Sequence, residues 1–187
     1  MAHKLKLRLF IFFTLLSCSD IISQETKNNS ENVKTKMDVF NSKTGIITKY
    51  IDTKLSSLKT SYGNAESKIR KVVSGSISAY FYQISKQGKY GESTASIEYT
   101  DLIEVIKALK ILQPEMEKDI ALNPDYLENK FVTADGFEVG YYVSSGKANW
   151  YIKLEKHGSD NTLFLNNGNL IEISFTEARS KIDELKK

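Results

Sequence analysis

Two stretches of this sequence repeat the same order of strand-like runs, turns and a helix. When the chain is shifted by 70 residues, Val73-Ser74 aligns with Val143-Ser144, and Tyr80-Phe81 aligns with Trp150-Tyr151. After two residues are removed from the next turn, the starts of the two predicted helices also coincide. The runs alternate in polarity as half-buried strands do, and short turns separate them. The pattern predicts an α+β fold of antiparallel β-sheets with two amphipathic helices, arranged as a tandem β4α repeat.

The predicted strands are short and are bounded by turn-forming residues. Residues 54–62 fit either a strand or a helix, and their Ser and Thr content favours a strand. Residues 37–41 and 45–53 are predicted to form a hairpin around a Ser-Lys-Thr-Gly turn. The clearer strands are residues 67–73, 77–85 and 92–98 in the first half, and 127–133, 137–143, 148–156 and 162–165 in the second.

Each half ends in a predicted helix. Residues 101–112 place their apolar side chains on one side, and Asp101 is predicted to cap this helix at its start. Pro114 is expected to end or kink it, with a second short helix at residues 115–122. In the second half, Asn169 is predicted to cap a helix whose apolar residues again recur at helical spacing.

The strands of the two halves also place aromatic and basic side chains on a common face. Successive residues of a strand point to opposite faces, so the residues that alternate with this set form the predicted core. Those core residues are Tyr80, Tyr82 and Ile84 in the first half, and Trp150, Ile152 and Leu154 in the second. Aromatic rings beside cations suit stacking on nucleic-acid bases or a protein interface, unless a helix covers the face. The candidate binding residues are Arg70, Phe81, Tyr142, Tyr151 and Lys153.

The tandem arrangement resembles the single-chain Whirly and Pur-alpha folds, whose members bind single-stranded nucleic acid. It is also similar, after a circular shift, to the two-repeat β-lactamase inhibitor protein, an exported binder of another protein. Both resemblances concern architecture alone, and the sequence carries no motif of either family. Because a fold does not carry a function and the two analogies point in different directions, neither function is inherited.

Residues 1–23 have the composition of a bacterial secretory signal. Three basic residues precede the apolar residues 9–16, and this apolar run is too short to span a membrane. Leu15-Leu16-Ser17-Cys18 resembles the lipobox of bacterial lipoproteins, which implies lipidation of Cys18 and an anchor without a spanning helix. The alternative is ordinary cleavage at Ser19 or at Ser23. Either route predicts an exported protein that is periplasmic, lipid-anchored at the outer membrane, or secreted.

The rest of the chain is predicted to be a linker and one domain. Residues 24–36 are polar with a single Val, which is typical of a flexible linker, and residues 37–187 form a single α+β domain. Its two similar halves are about 54–122 and 127–187. Removal of the signal leaves 23 basic and 22 acidic residues, so electrostatic attraction to nucleic acid or anionic lipid is weak. Cys18 is the only cysteine, so the domain depends on its core rather than on disulfides.

The residue types argue against several enzyme classes. His157 is the only histidine beyond the signal and lies in a predicted turn, so neither a Ser-His-Asp triad nor a zinc site of nitrogen and sulfur ligands is expected. No phosphate-binding glycine motif occurs, and no cofactor or metal is expected. Paired carboxylates, such as Glu98 with Asp101 or Asp135 with Glu138, keep a carboxylate-dependent hydrolase as an alternative.

These features predict an exported, non-enzymatic binding protein of the bacterial cell envelope. The expected partner is an unknown protein or a small ligand, and membrane contact is expected only through the lipid anchor at Cys18. A single-stranded nucleic-acid-binding module of Whirly-like architecture is an alternative that the near-zero net charge disfavours.

Overall fold

The computed structural model describes residues 34–89, 91–158 and 160–187. The predicted signal at 1–23, its Cys18 and the linker as far as residue 33 lie outside the described residues. The helices are α1 (Lys36–Asn41), α2 (Tyr99–Ala121) and α3 (Gly168–Leu185). The strands are β1 (Thr48–Lys54), β2 (Leu58–Thr60), β3 (Gly63–Ser74), β4 (Ile77–Gly88), β5 (Gly91–Glu98), β6 (Leu127–Val132), β7 (Glu138–Ser144), β8 (Lys147–Lys153) and β9 (Thr162–Leu165).

The strands form two antiparallel sheets. The first sheet has the order β1-β3-β4-β5, and the short β2 pairs with the beginning of β3. The second sheet has the order β6-β7-β8-β9. Helix α2 follows the last strand of the first sheet, and α3 follows the last strand of the second. The predicted α+β fold with antiparallel sheets is therefore confirmed, and the first sheet has five strands whereas the second has four.

The hairpins at the centre of each half have matching registers. Ser74 pairs with Ile77 across the first turn, and Ser144 pairs with Lys147 across the second. Gly75 opens the first turn with φ of 62°, which suits the right-handed twist of two-residue hairpins. The longer turn between β6 and β7 contains Gly136 with φ of 86°, a left-handed conformation that favours glycine.

The main hydrophobic core lies where α2 and α3 pack against both sheets. The side chains predicted for the core from period-2 alternation are buried there: Tyr80, Tyr82, Ile84, Trp150, Ile152 and Leu154. A second, smaller cluster lies on the opposite face of the first sheet, where Met37 of α1 covers Val72 and Phe81. Within the described residues, no helix is both long and apolar enough to cross a membrane.

The start of the domain differs from the prediction. Residues 37–41 do not form a strand but belong to α1, which is capped by reciprocal hydrogen bonds between Thr35 and Asp38. Met37 and Phe40 are three residues apart and therefore face the same side of this helix, toward Phe81. Within 54–62, the favoured strand is confirmed only for β2, since β1 ends at Lys54.

The helix boundaries also differ from the prediction. Glu98, not Asp101, caps α2, because its carboxylate accepts the backbone N–H of Thr100. Asn167, not Asn169, caps α3 by accepting the N–H of Leu170. Helix α2 also continues through Pro114 to Ala121. Proline removes one backbone hydrogen bond, but the residues that follow it are held by tertiary packing: Met116 and Ile120 pack against the main core.

Candidate binding site

The five candidate binding residues lie in two different sheets. Arg70 and Phe81 pair with each other on adjacent strands of the first sheet. Tyr142, Tyr151 and Lys153 lie on β7 and β8 of the second sheet, on the face opposite the main core. The structure therefore brings three of the five together and places the other two elsewhere.

Neither residue of the first sheet is free to stack on a ligand. Phe81 is fully buried beneath α1, with its ring edge-to-face against Phe40 at 6.0 Å. Arg70 donates two hydrogen bonds of 2.7 Å to the carboxylate of Asp52 and lies over the ring of Tyr50. The hydrogen bond from Arg70 holds the pKa of Asp52 at about 2, so this carboxylate stays charged and neutralises the guanidinium.

Tyr151 forms the floor of the outer face of the second sheet. Its side chain is 6% exposed, and its hydroxyl donates a 2.5 Å hydrogen bond to Glu128 on β6. Strand β7 lies between β6 and β8, so this bond passes over β7, where Gly140 is the partner of Tyr151. Gly140 is required by the close approach of β6, because a Cβ there would lie 2.3 Å from the backbone oxygen of Asn129.

Lys130 and Lys153 on this face are engaged by glutamates. Lys130 and Lys153 lie 2.9 Å and 3.4 Å from the carboxylate oxygens of Glu138. Burial opposes the ionisation of Glu138, but the hydrogen bond and charge of Lys130 outweigh it and lower the pKa of this carboxyl. Lys130 also lies 3.6 Å from Glu128. Lys153 is therefore a partner of Glu138 rather than a free cation beside the aromatic rings.

Three aromatic residues that the sequence did not single out complete this surface. The ring of Tyr126 stacks on Tyr142 at 6.0 Å, and the ring of Tyr62 meets Phe164 edge-to-face at 6.4 Å. Tyr62 is 88% exposed and Tyr126 is 62% exposed. We call the resulting surface the aromatic face, and its members are Tyr62, Tyr126, Tyr142, Tyr151 and Phe164.

Different signals could have identified these residues. Phe164 alternates with the buried Leu163 and Leu165, so period 2 places it on the outer face. Tyr62 comes from the other half of the chain and has no such local signal. It reaches the second sheet because the N–H of Ser61 donates to the carbonyl of Phe164 at 2.8 Å.

A pocket of about 330 Å³ lies at the border of the aromatic face. Charged residues make up 26% of the sequence, yet none lines this pocket. Its walls combine aromatic rings with neutral hydrogen-bonding groups, which suits an uncharged polar ligand with apolar ring faces. The lining residues on which the chemistry depends are Ser61, Tyr62, Tyr142, Asn149, Phe164 and Asn166.

A second cavity, of about 580 Å³, lies between the end of α2 and the start of α3. Trp150 borders both this cavity and the first pocket, and its indole N–H points to the sulfur of Met116 at 3.1 Å. Gly168 allows α3 to start against Trp150, because a Cβ at this position would lie 2.8 Å from the indole ring. The lining of this cavity includes the charged residues Glu117 and Lys147, whereas the first pocket has no charged lining residue.

The predicted carboxylate pairs are occupied by structural contacts. Glu98 caps α2, and Asp101 lies 2.7 Å from the ammonium of Lys36. Asp135 accepts the backbone N–H of Lys36 at 3.0 Å, and burial raises the pKa of this carboxyl. Among the described residues, no three His, Cys, Asp or Glu side chains are grouped so that they could hold a metal ion.

Comparison with protein-family models, with curated proteins and with solved structures found no match for this chain.

Proposed function

We propose that this chain is an exported, non-enzymatic binding protein of the bacterial cell envelope, and that its aromatic face binds an uncharged sugar unit of a glycan. One observation carries the proposal: the exposed Tyr62 lines a pocket without charged lining residues, and the exposed Tyr126 stacks on Tyr142, which lines the same pocket. Exposed tyrosines of this kind are frequent at binding surfaces, because they bury a large area at low entropic cost.

The chemistry of the pocket suits a sugar ring. The C–H groups on one face of a pyranose pack against an aromatic ring, as other apolar groups do. The hydroxyl groups at the ring edge need neutral donors and acceptors. Asn149 and Asn166 supply amide N–H groups, and Ser61 supplies an acceptor oxygen, since its own hydroxyl donates to Oδ1 of Asn166 at 3.1 Å. A phosphate or a nucleic-acid backbone would instead need unpaired cations, whereas Lys130 and Lys153 are engaged by glutamates.

One further feature supports export, and another supports binding rather than catalysis. The basic and apolar composition of residues 1–23 is that of a secretory signal. The acidic residues considered for hydrolysis each have a structural partner: Thr100 for Glu98, and Lys36 for Asp101 and Asp135.

The single tryptophan provides a direct test, because Trp150 borders the pocket. Its fluorescence is measured while neutral oligosaccharides of N-acetylglucosamine are added to the full chain. We expect saturable binding that weakens about tenfold in Tyr62→Ala, since loss of about 1.4 kcal/mol of ring contact corresponds to that factor. Tyr50→Ala, at an exposed tyrosine of the first sheet, is the matched control and leaves the affinity unchanged.

Two outcomes would contradict the sugar-binding proposal. The first is an absence of any fluorescence change across the oligosaccharide series. The second is binding of single-stranded DNA, with steep salt dependence, in place of the sugars. Export is tested separately by mass spectrometry of the N-terminus of the cell-derived protein. A diacylglyceryl Cys18 or a terminus between residues 19 and 24 supports export, and an intact Met1 in the cytoplasm contradicts it.

A further inference from the structure

Strand β1 lies at the edge of the first sheet. No strand in the described part of the chain pairs with its outer side. All seven of its residues pair with β3 on one side, from Thr48 with Ser74 to Lys54 with Lys68. Alternate residues of an antiparallel edge strand direct their backbone N–H and C=O groups away from the sheet. These groups form a template on which another extended segment can add as a strand.

Several large apolar side chains around this edge are exposed to solvent. Ile47, directly before β1, is 91% exposed, and Ile51 on the same face is also exposed. Tyr50 is exposed on the other face, and Ile46 and Ile77 are also exposed. Natural proteins protect edge strands by keeping them short, by placing charged side chains on them or by covering them, and charged side chains alone leave these apolar groups in water. Exposed apolar groups on both faces indicate that a partner covers β1.

The charge around β1 indicates the chemistry of that partner. Residues 41–74 contain seven Lys and Arg but only two Asp and Glu, although the described chain as a whole is close to neutral. One of the two acids, Asp52, is already engaged by Lys68 and Arg70. Within the described part of the chain, Lys49 and Lys54 form no ion pair, so two cations of β1 remain to meet an incoming segment.

We propose that the open edge of β1 binds an extended acidic segment of a partner protein, which adds to the first sheet as a strand. In the added strand, apolar side chains would lie opposite Ile47 and Ile51, and carboxylates would lie opposite Lys49 and Lys54. A second copy of this chain is a poorer occupant, because it would bring two basic strands together. This surface belongs to the first sheet, so the proposal does not depend on sugar binding at the aromatic face.

The geometry defines a peptide probe. The probe is the peptide Glu-Thr-Ser-Val-Val-Glu-Thr-Val, written from its N-terminus. As an antiparallel strand it faces residues 54 to 47 in that order, so a carboxylate lies opposite each of Lys54 and Lys49. The control peptide replaces both Glu with Lys and keeps every apolar residue. Both are capped at their ends, labelled with fluorescein and added to the full chain, and binding is read from fluorescence anisotropy.

We expect the Glu peptide to bind at least tenfold more tightly than the Lys peptide. The variant Lys49→Glu with Lys54→Glu should reverse this preference, because both substitutions lie on an exposed strand and exchange only the charges. Tyr62→Ala should leave peptide binding unchanged, which separates this surface from the aromatic face.

Three results would overturn the proposal: no binding of the Glu peptide at concentrations up to about 1 mM, equal affinities for the two peptides, or a dimer in sedimentation experiments that the double charge variant dissociates. The third result would show that a second copy occupies the edge.

Discussion

The hydroxyl of Tyr151 donates a hydrogen bond to Glu128 across an intervening strand, at a distance of 2.5 Å. The residue of β7 that pairs with Tyr151 is Gly140, which has no side chain. Burial, together with the hydrogen bond to Glu128, raises the pKa of Tyr151 far above the ordinary value, so the hydroxyl remains a donor. Tyr151 therefore connects β8 to β6 across β7, beneath the exposed rings of the aromatic face.

Replacing Tyr151 with Phe removes this bond and leaves Glu128 with only the more distant Lys130. We expect the free energy of unfolding to fall by about 1–2 kcal/mol, the usual cost of losing a partly buried, charge-assisted hydrogen bond. Urea denaturation measures the change. Tyr142→Phe is the control, since its hydroxyl has no hydrogen bond within the described residues, and its stability should change by less than about 0.5 kcal/mol. Equal losses in the two variants would contradict the role given to the Tyr151 hydroxyl.

Gly140→Ala places a methyl group 2.3 Å from the backbone oxygen of Asn129 and 2.7 Å from Cβ of Lys130. Backbone atoms of a paired strand cannot move aside cheaply, so we expect a loss of about 2–3 kcal/mol. The midpoint of thermal unfolding reports the loss. Ser144→Ala, on the same strand, serves as the control. If Gly140→Ala is as stable as this control, the prediction is wrong, because β6 and β7 then move apart at little cost to make room for the methyl group.

Tyr82 and Ser174 share a buried hydrogen bond of 2.6 Å that joins β4 to α3. Burial raises the pKa of Tyr82 to about 12, so its hydroxyl stays protonated at physiological pH. We expect Tyr82→Phe and Ser174→Ala each to cost about 1–2 kcal/mol, because each removes this buried hydrogen bond. The double variant should cost less than the sum of the two, by about 0.5–1 kcal/mol. Strictly additive losses would argue that the two hydroxyls do not interact in solution.

The stability of the first sheet should depend on acid through Asp52. Its hydrogen bond from Arg70 lowers its pKa from 3.8 to about 2, so the native state binds this proton less readily than the unfolded chain. The stabilisation is therefore complete above the unfolded-state pKa near 4 and is lost as the pH falls toward 2. Because Asp52 is about one-third exposed, we expect a contribution of only about 1 kcal/mol.

The comparison of Asp52→Asn with the parent chain tests this dependence. Unfolding free energies are measured from pH 6 to pH 2, and the difference between the two proteins should shrink as the pH falls. Asp125→Asn, at an exposed aspartate without an ion pair in the described residues, controls for loss of net charge. A constant difference at every pH would assign the effect to packing of the side chain rather than to its charge.

The central strands and their two faces were predictable from the sequence. Alternation places Tyr82 and Ile152 inward, and both are fully buried in the main core. The same alternation places Phe81 and Tyr151 on the opposite face of their sheets, as observed. The alternation does not show that α1 covers Phe81, or that the hydroxyl of Tyr151 reaches Glu128 across β7.

The candidate site could be predicted only in part. Tyr142, Tyr151 and Lys153 do lie on one face of the second sheet, as their strand positions predict. Tyr62 could not be assigned to it, because its contact with Phe164 joins residues from different halves of the chain. The engagement of Lys153 by Glu138 and of Arg70 by Asp52 also depends on strand pairing, which the sequence does not specify.

The amino-acid sequence by itself determined the order of strands and helices in the two halves and the inward side of each central strand. These properties follow from the periods of the strand and the helix, which are local consequences of backbone geometry. Only the tertiary structure decided that residues 36–41 form a helix, that α2 continues past Pro114, and which outward side chains remain exposed. Those outcomes depend on contacts between residues far apart in the chain, whose packing energy exceeds local preference.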